Sequence, residues 1–83
     1  MYTVEFLPSA AKALEKLDRA VQLRIASRID RLAADPRKDT VKLSGSDDVW
    51  RVRVGDYRIL YRIEDERVTV LVIRVGHRRD VYR

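Results

Sequence analysis

The chain has no cysteine. That excludes a disulfide framework, a thiolate nucleophile and any cysteine-based zinc site. It has one histidine, His77, too few for a typical His-built metal centre. Glycine is scarce, with three in the chain, and no glycine-rich phosphate loop is present. No Ser-His-Asp arrangement stands out. Asp47-Asp48 and Glu64-Asp65-Glu66 read as turn residues rather than a magnesium site. No cofactor or metal is expected. The longest apolar run is broken by Thr69 and is far too short to cross a bilayer, so no membrane role is expected. Residues 1–6, MYTVEF, lack the basic and apolar regions of a secretory signal. With cysteine absent as well, the cytoplasm is the expected location.

Positive charge is abundant. Lys and Arg number 18 against 13 Asp and Glu, a formal net charge of +5. That balance favours a polyanionic partner, either nucleic acid or an acidic protein segment. The 83 residues suggest one domain, 1–83, that buries only about 60–65% of its unfolded surface. A composition of 46% hydrophobic and 37% charged residues is that of a globular chain.

Tyr2 to Leu7 alternates and is β-prone, so a strand is expected there. Pro8-Ser9 should end it, with Ser9 as the N-cap of a short helix. Ala10, Ala13, Leu14 and Leu17 form that helix's apolar stripe. Asp18 can cap a second helix, with Val21, Ile25, Ala26, Ile29, Leu32 and Ala33 facing inward. Arg24, Arg28 and Arg31 are expected on its wet side. Asp35-Pro36 should stop it, because a residue before proline leaves the helical region. Residues 36–48 read as a polar loop, with Val41 and Leu43 docked on the core. Strands follow at about 49–54, 57–63 and 67–75, the last two joined by the acidic turn 64–66. The order β-α-α-β-β-β predicts an α+β domain: two N-terminal helices packed on one face of a mostly antiparallel sheet.

The stretch VWRVRVGDYRILY, residues 49–61, carries the functional signal. Gly55-Asp56 reads as a two-residue hairpin turn with glycine first. Val54 then faces Tyr57, Arg53 faces Arg58, Val52 faces Ile59 and Trp50 faces Tyr61. One face is apolar: Trp50, Val52, Val54, Tyr57, Ile59 and Tyr61. The other holds Arg51, Arg53, Arg58 and Arg62, with Leu60 among them, on an outward and concave surface. Arginines directly opposite each other repel. A solvated sheet face offset by turn carboxylates would be the plain explanation. Yet the triangle Arg51, Arg53 and Arg58 has no acid among it on the hairpin, and an uncompensated local conflict often marks a functional place. Clustered guanidinium forks suit a phosphate. The tail VGHRRDVYR, residues 75–83, adds His77, Arg78, Arg79, Tyr82 and Arg83. For Tyr82 a terminal aromatic packed on the sheet edge, and for His77 an exposed polar residue, are the bland alternatives. Functionally, Arg78 and Tyr82 could stand beside the triangle, where tyrosine stacks on a base or handles a proton.

The segments KLSG…VWRVRVGDYRILYRI and VLVIRVGHRRDVYR closely resemble the RelE toxins of prokaryotic toxin–antitoxin pairs. The resemblance covers nearly the whole chain and implies a RelE-like fold. It implies an endoribonuclease that enters the 70S ribosome and cuts mRNA in the A site, and a RelB-like antitoxin that wraps and silences it. Any operator-DNA contact would come through the antitoxin, since this chain shows no helix-turn-helix. By position the resemblance assigns Arg51, Arg53, Arg58, Arg78 and Tyr82 to the active site, with His77 as a second candidate for proton transfer. Some family members carry lysine where this chain has Arg51 and Arg53, and there a lysine has been proposed as general base. Arginine is ill suited to that task because its guanidinium does not give up its proton in proteins. Two alternatives remain open at this point: a ParE-like gyrase inhibitor of the same fold, and a non-catalytic RNA-binding member of it.

Overall fold

The computed structural model of the chain describes residues 1–43, 48–77 and 79. The elements are β1 (Thr3–Phe6), α1 (Pro8–Glu15), α2 (Arg19–Ala34), β2 (Val41–Lys42), β3 (Val49–Val54), β4 (Tyr57–Glu64), a 3-10 turn (Asp65–Arg67) and β5 (Thr69–His77). The sheet order is β1-β5-β4-β3-β2. β1 runs parallel to β5, and the other pairs are antiparallel. The architecture is the expected one, two helices on a mostly antiparallel sheet.

Local chemistry sets the helix ends. Pro8 opens α1, with Leu7 at the N-cap and no side-chain cap. Its fixed φ and missing N–H suit the first helical turn, so the cap expected from Ser9 is not used. Asp18 does hold the N-cap position of α2, but its side chain makes no capping bond. Asp35, before Pro36, is extended and ends α2 as the proline rule requires.

The helices cover one sheet face. Ala10, Ile25, Ile29 and Leu32 pack with Val52, Ile59, Tyr61, Val70, Val72 and Val75. This is the apolar face read from the hairpin alternation. Ala26, expected inward, is exposed, and Arg28, expected in water, is buried. Tyr61 is fully buried and its hydroxyl donates to the Pro36 carbonyl at 2.6 Å. That bond ties the loop after α2 to the centre of the sheet. The loop contains a strand that periodicity could not show: two residues long, β2 pairs Val41 with Arg51 and Lys42 with Trp50. Val41 stays exposed, while Leu43 packs with Val49, Leu60 and Ile73 in a second, smaller apolar cluster.

Turns carry two backbone features. Gly55 adopts φ +59, and among described residues the hairpin's Asp56 does not, the pattern expected with glycine first. A Cβ there would stand 2.9 Å from Nη2 of Arg24. Val68 adopts φ +48 after the 3-10 turn, a region that costs a β-branched residue about 1–2 kcal/mol. Its side chain is exposed. Val68→Asn should therefore raise stability by roughly 1 kcal/mol, read as a higher denaturation midpoint at unchanged slope.

The acidic turn is held by partners away from the hairpin. Arg37 donates to both oxygens of Asp65 at 3.3 and 2.8 Å, and Tyr2 donates to Oδ1 at 2.7 Å. Arg37 also lies 5.7 Å from the centre of the Trp50 ring, within cation–π range. Glu64 and Glu5 both pair with Arg67. Arg37, then Tyr2, holds the Asp65 carboxyl below the usual carboxylate range. A depressed folded pKa contributes stability above the unfolded pKa and loses it as pH falls through the folded value. Asp65→Asn should thus be less stable than wild type near neutrality. The gap should close as pH falls below about 4, as followed by urea midpoints across pH.

Candidate nucleic-acid interface

The β3–β4 register matches the hairpin reading pair for pair: Val54 faces Tyr57, Arg53 faces Arg58, Val52 faces Ile59 and Trp50 faces Tyr61. Arg51, Arg53 and Arg58 consequently share the face away from the helices. Arg53 is exposed, and Arg51 and Arg58 are half-buried. Arg62 stands on the same face at its far end, opposite Val49. The floor between them is Leu60, buried against Val49 and Ile73. The face therefore presents guanidinium groups around a buried apolar patch, and such groups suit phosphates.

A β-bulge changes this site. Across β4 and β5, Leu60 faces Arg74 but the next residue, Tyr61, faces Val72. Ile73 is the extra residue. Such an insertion inverts the side-chain alternation beyond it. Continued from Val70 and Val72, the alternation would send Arg74 to the helix side. The bulge instead puts Arg74 on the arginine face, in line with Leu60 and Arg51. Arg58 faces Gly76, which carries no side chain. Arg74 is exposed and was not legible as a site residue in the sequence, because only the bulge gives it this direction.

The same inversion moves His77 the other way. His77 pairs with Tyr57, which belongs to the helix-side face. The two rings meet edge to face, 5.6 Å apart at 83°. Nδ1 of His77 accepts from the Arg79 backbone N–H at 3.3 Å. His77, the second candidate for proton transfer, therefore stands on the face of the sheet opposite Arg58. Arg78 and Tyr82 lie outside the described residues.

Comparison with known proteins gives this surface its setting. Residues 4–82 match the family model described as the ParE toxin of type II toxin-antitoxin system, parDE. The toxin RelG of Mycobacterium tuberculosis is 34% identical over 90 residues, covering 99% of this chain and 97% of that protein. The chain is a RelE-like member of the RelE/ParE family of type II toxins. The mRNA interferase toxin RelE of Escherichia coli K12 is 32% identical, covering 93% of this chain and 83% of its own length. Among solved structures, the intact E. coli RelBE toxin-antitoxin complex contains a chain that superposes with a TM-score of 0.85 at 30% identity. That match covers 93% of this chain and 96% of that one. A toxin-antitoxin complex RelBE2 of M. tuberculosis matches at a TM-score of 0.84 and 33% identity, over 92% and 96% of the two chains. The RelE-like fold expected from the sequence is the fold observed.

Proposed function

We propose that this toxin is a ribosome-dependent endoribonuclease that cuts mRNA in the A site. The observation that carries the reading is the outward face where Arg51, Arg53, Arg58 and Arg74 surround the buried Leu60. A chain similar to it over most of its length is named an mRNA interferase.

The reaction suited to such a face needs no metal. The ribose 2′-oxygen bonds to the adjacent phosphorus while the bond from phosphorus to the 5′-oxygen breaks. The 2′-hydroxyl gives up its proton and the 5′-oxygen gains one, leaving a 2′,3′-cyclic phosphate and a 5′-hydroxyl. The crowded phosphate carries extra negative charge in the transition state. In this proposal Arg58 and Arg78 stabilise that charge, as donors aimed at developing charge do. Arg51 and Arg53 hold the backbone and share the electrostatic work. Tyr82 stacks on a base or takes part in proton transfer. No proton-transfer role is given to His77, whose ring packs on Tyr57.

Arg74 joins this set as a phosphate contact beside Arg58. Arg74→Ala should slow cleavage by about tenfold and lower the salt dependence of RNA binding by roughly one phosphate's worth. Single-turnover cleavage and a salt titration check both.

A RelB-like antitoxin is the proposed partner, since the neighbouring solved structures include RelB–RelE complexes from E. coli and two archaea. A basic toxin face complements an acidic or amphipathic antitoxin segment that orders on binding. Operator DNA would be reached through that antitoxin.

The deciding experiment is in-vitro translation with purified 70S ribosomes and a defined mRNA, read by primer extension. Cleavage that requires ribosomes and maps to the A site is the expected result. Intact mRNA with a folded, growth-inhibiting protein would overturn it. Gyrase inhibition, the second reading, draws on the ParE description of the matching family model, and a supercoiling assay on the same protein tests it.

A further inference from the structure

A second basic feature lies round the edge of the sheet. β2 covers β3 only at Trp50 and Arg51, so among the described residues Val52 to Val54 form an open edge. Beside that edge is a groove of about 430 Å³ lined by Arg28, Arg31, Asp39, Val41, Arg51, Val52 and Arg53. Four arginines meet one carboxylate there. Arg28 and Arg31 are three residues apart and share a face of α2.

Arg28 is the informative member. Only 8% of it is exposed, which is rare for a charged side chain. Its Nη2 alone makes the hydrogen bonds, to the Lys38 and Asp39 carbonyls at 3.2 and 3.4 Å. Both acceptors are neutral, and no carboxylate among the described residues neutralises the guanidinium. No buried side-chain nitrogen among the described residues lacks a partner, so Nε and Nη1, which make no such bond, must reach solvent. Arg28 is thus a cation fixed through one nitrogen, with Nε and Nη1 making no hydrogen bond to the described residues. Holding it in place beforehand lowers the ordering cost of binding.

We infer that this groove is a phosphate-binding site for an RNA backbone passing round the open edge of β3. It rests on the proposal that the arginine face handles RNA. Arg51 and Arg53 belong both to that face and to the groove, so a strand leaving the face meets a continuous line of guanidinium groups. Arg28 and Arg31 would bind a phosphate of that strand from the α2 side, and Val41 would offer an apolar contact to a sugar or base. Asp39 opposes the site and limits it to ligands that several arginines can hold.

The test uses the full chain and a labelled single-stranded RNA hexanucleotide, followed by fluorescence anisotropy over a salt series. Arg31 is exposed, so Arg31→Gln should fold. Its affinity should fall about five- to tenfold, and the slope of log K against log salt should drop by about 0.7, one phosphate on a single strand. Arg31→Lys should keep most of the slope. Arg19→Gln removes the same charge from the first turn of α2, outside the groove, and should bind as wild type. The same series with vacant 70S ribosomes separates the sources: loss with the hexanucleotide assigns the phosphate to the message, and loss with ribosomes alone assigns it to ribosomal RNA. Unchanged binding of Arg31→Gln to both, or a loss no larger than that of Arg19→Gln, would overturn the inference. So would weakened binding of an oligoglutamate peptide with RNA affinity intact. A wild-type protein that binds RNA through this groove but leaves ribosome-bound mRNA whole would defeat the nuclease proposal and leave the groove standing.

Discussion

Arg58→Ala should slow ribosome-dependent mRNA cleavage by about 10²–10³-fold, the usual loss when one preorganised donor to developing charge is removed. Arg58 stands on the central hairpin strand between Arg53 and the bare Gly76. It is half-buried, so its guanidinium is less screened than a fully exposed one. The fold should tolerate the change. Alanine removes the cross-strand repulsion with Arg53, and the core lies on the opposite face. Single-turnover primer extension gives the rate, and the melting temperature reports the fold. Arg62→Ala is the control, because Arg62 sits on the same strand and face but opposite Val49, at the other end. Equal cleavage by Arg58→Ala and Arg62→Ala would remove Arg58 from the reaction.

Tyr61→Phe should cost about 1–3 kcal/mol of stability, because it leaves the Pro36 carbonyl without its buried donor. For a domain of this size each kcal/mol lowers the melting temperature by roughly 4–8 °C. The ring remains, so packing is kept and the loss reports the hydrogen bond. The effect should spread along the loop. Pro36 precedes the Lys38 and Asp39 carbonyls that hold Arg28, so the variant should also weaken RNA binding modestly. Burial raises the Tyr61 hydroxyl above its ordinary pKa. A raised folded pKa contributes stability in full below the unfolded pKa, about 10, and loses it as pH rises through the folded value. The gap between wild type and Tyr61→Phe should accordingly narrow above pH 10. Denaturant midpoints at pH 7, 9 and 11 test both parts. A constant gap would mean that the hydroxyl stays accessible to water in the folded protein.

Much of the fold was written in short-range pattern. The hairpin could be read residue by residue, because two alternating runs flank a Gly-Asp turn and a one-residue slip would expose the whole apolar set. That register also fixed Arg51, Arg53 and Arg58 on one face. The end of α2 followed from Asp35-Pro36, and the order of elements predicted the layer arrangement. The resemblance to RelE toxins matched the fold that is observed.

The remainder depended on contacts between residues distant in the chain. β2 is two residues long, with too little periodicity to be seen, and exists because Val41 and Lys42 pair with Arg51 and Trp50. Arg28 sits where helical spacing puts a wet residue, yet it is buried because carbonyls ten and eleven positions on curl back over it. The bulge at Ile73 decided most. VLVIRVGH, residues 70–77, opens with four consecutive apolar residues, so no polar–apolar alternation marks where an extra residue enters. Pairing with β4 inserts one, and every side chain after it changes face. Arg74 thereby joins the arginines and His77 leaves them. The sequence by itself determined the hairpin, its cationic face and the helices that back it. Only the tertiary structure decided which β5 residues join that face, because period-two alternation cannot encode its own interruption.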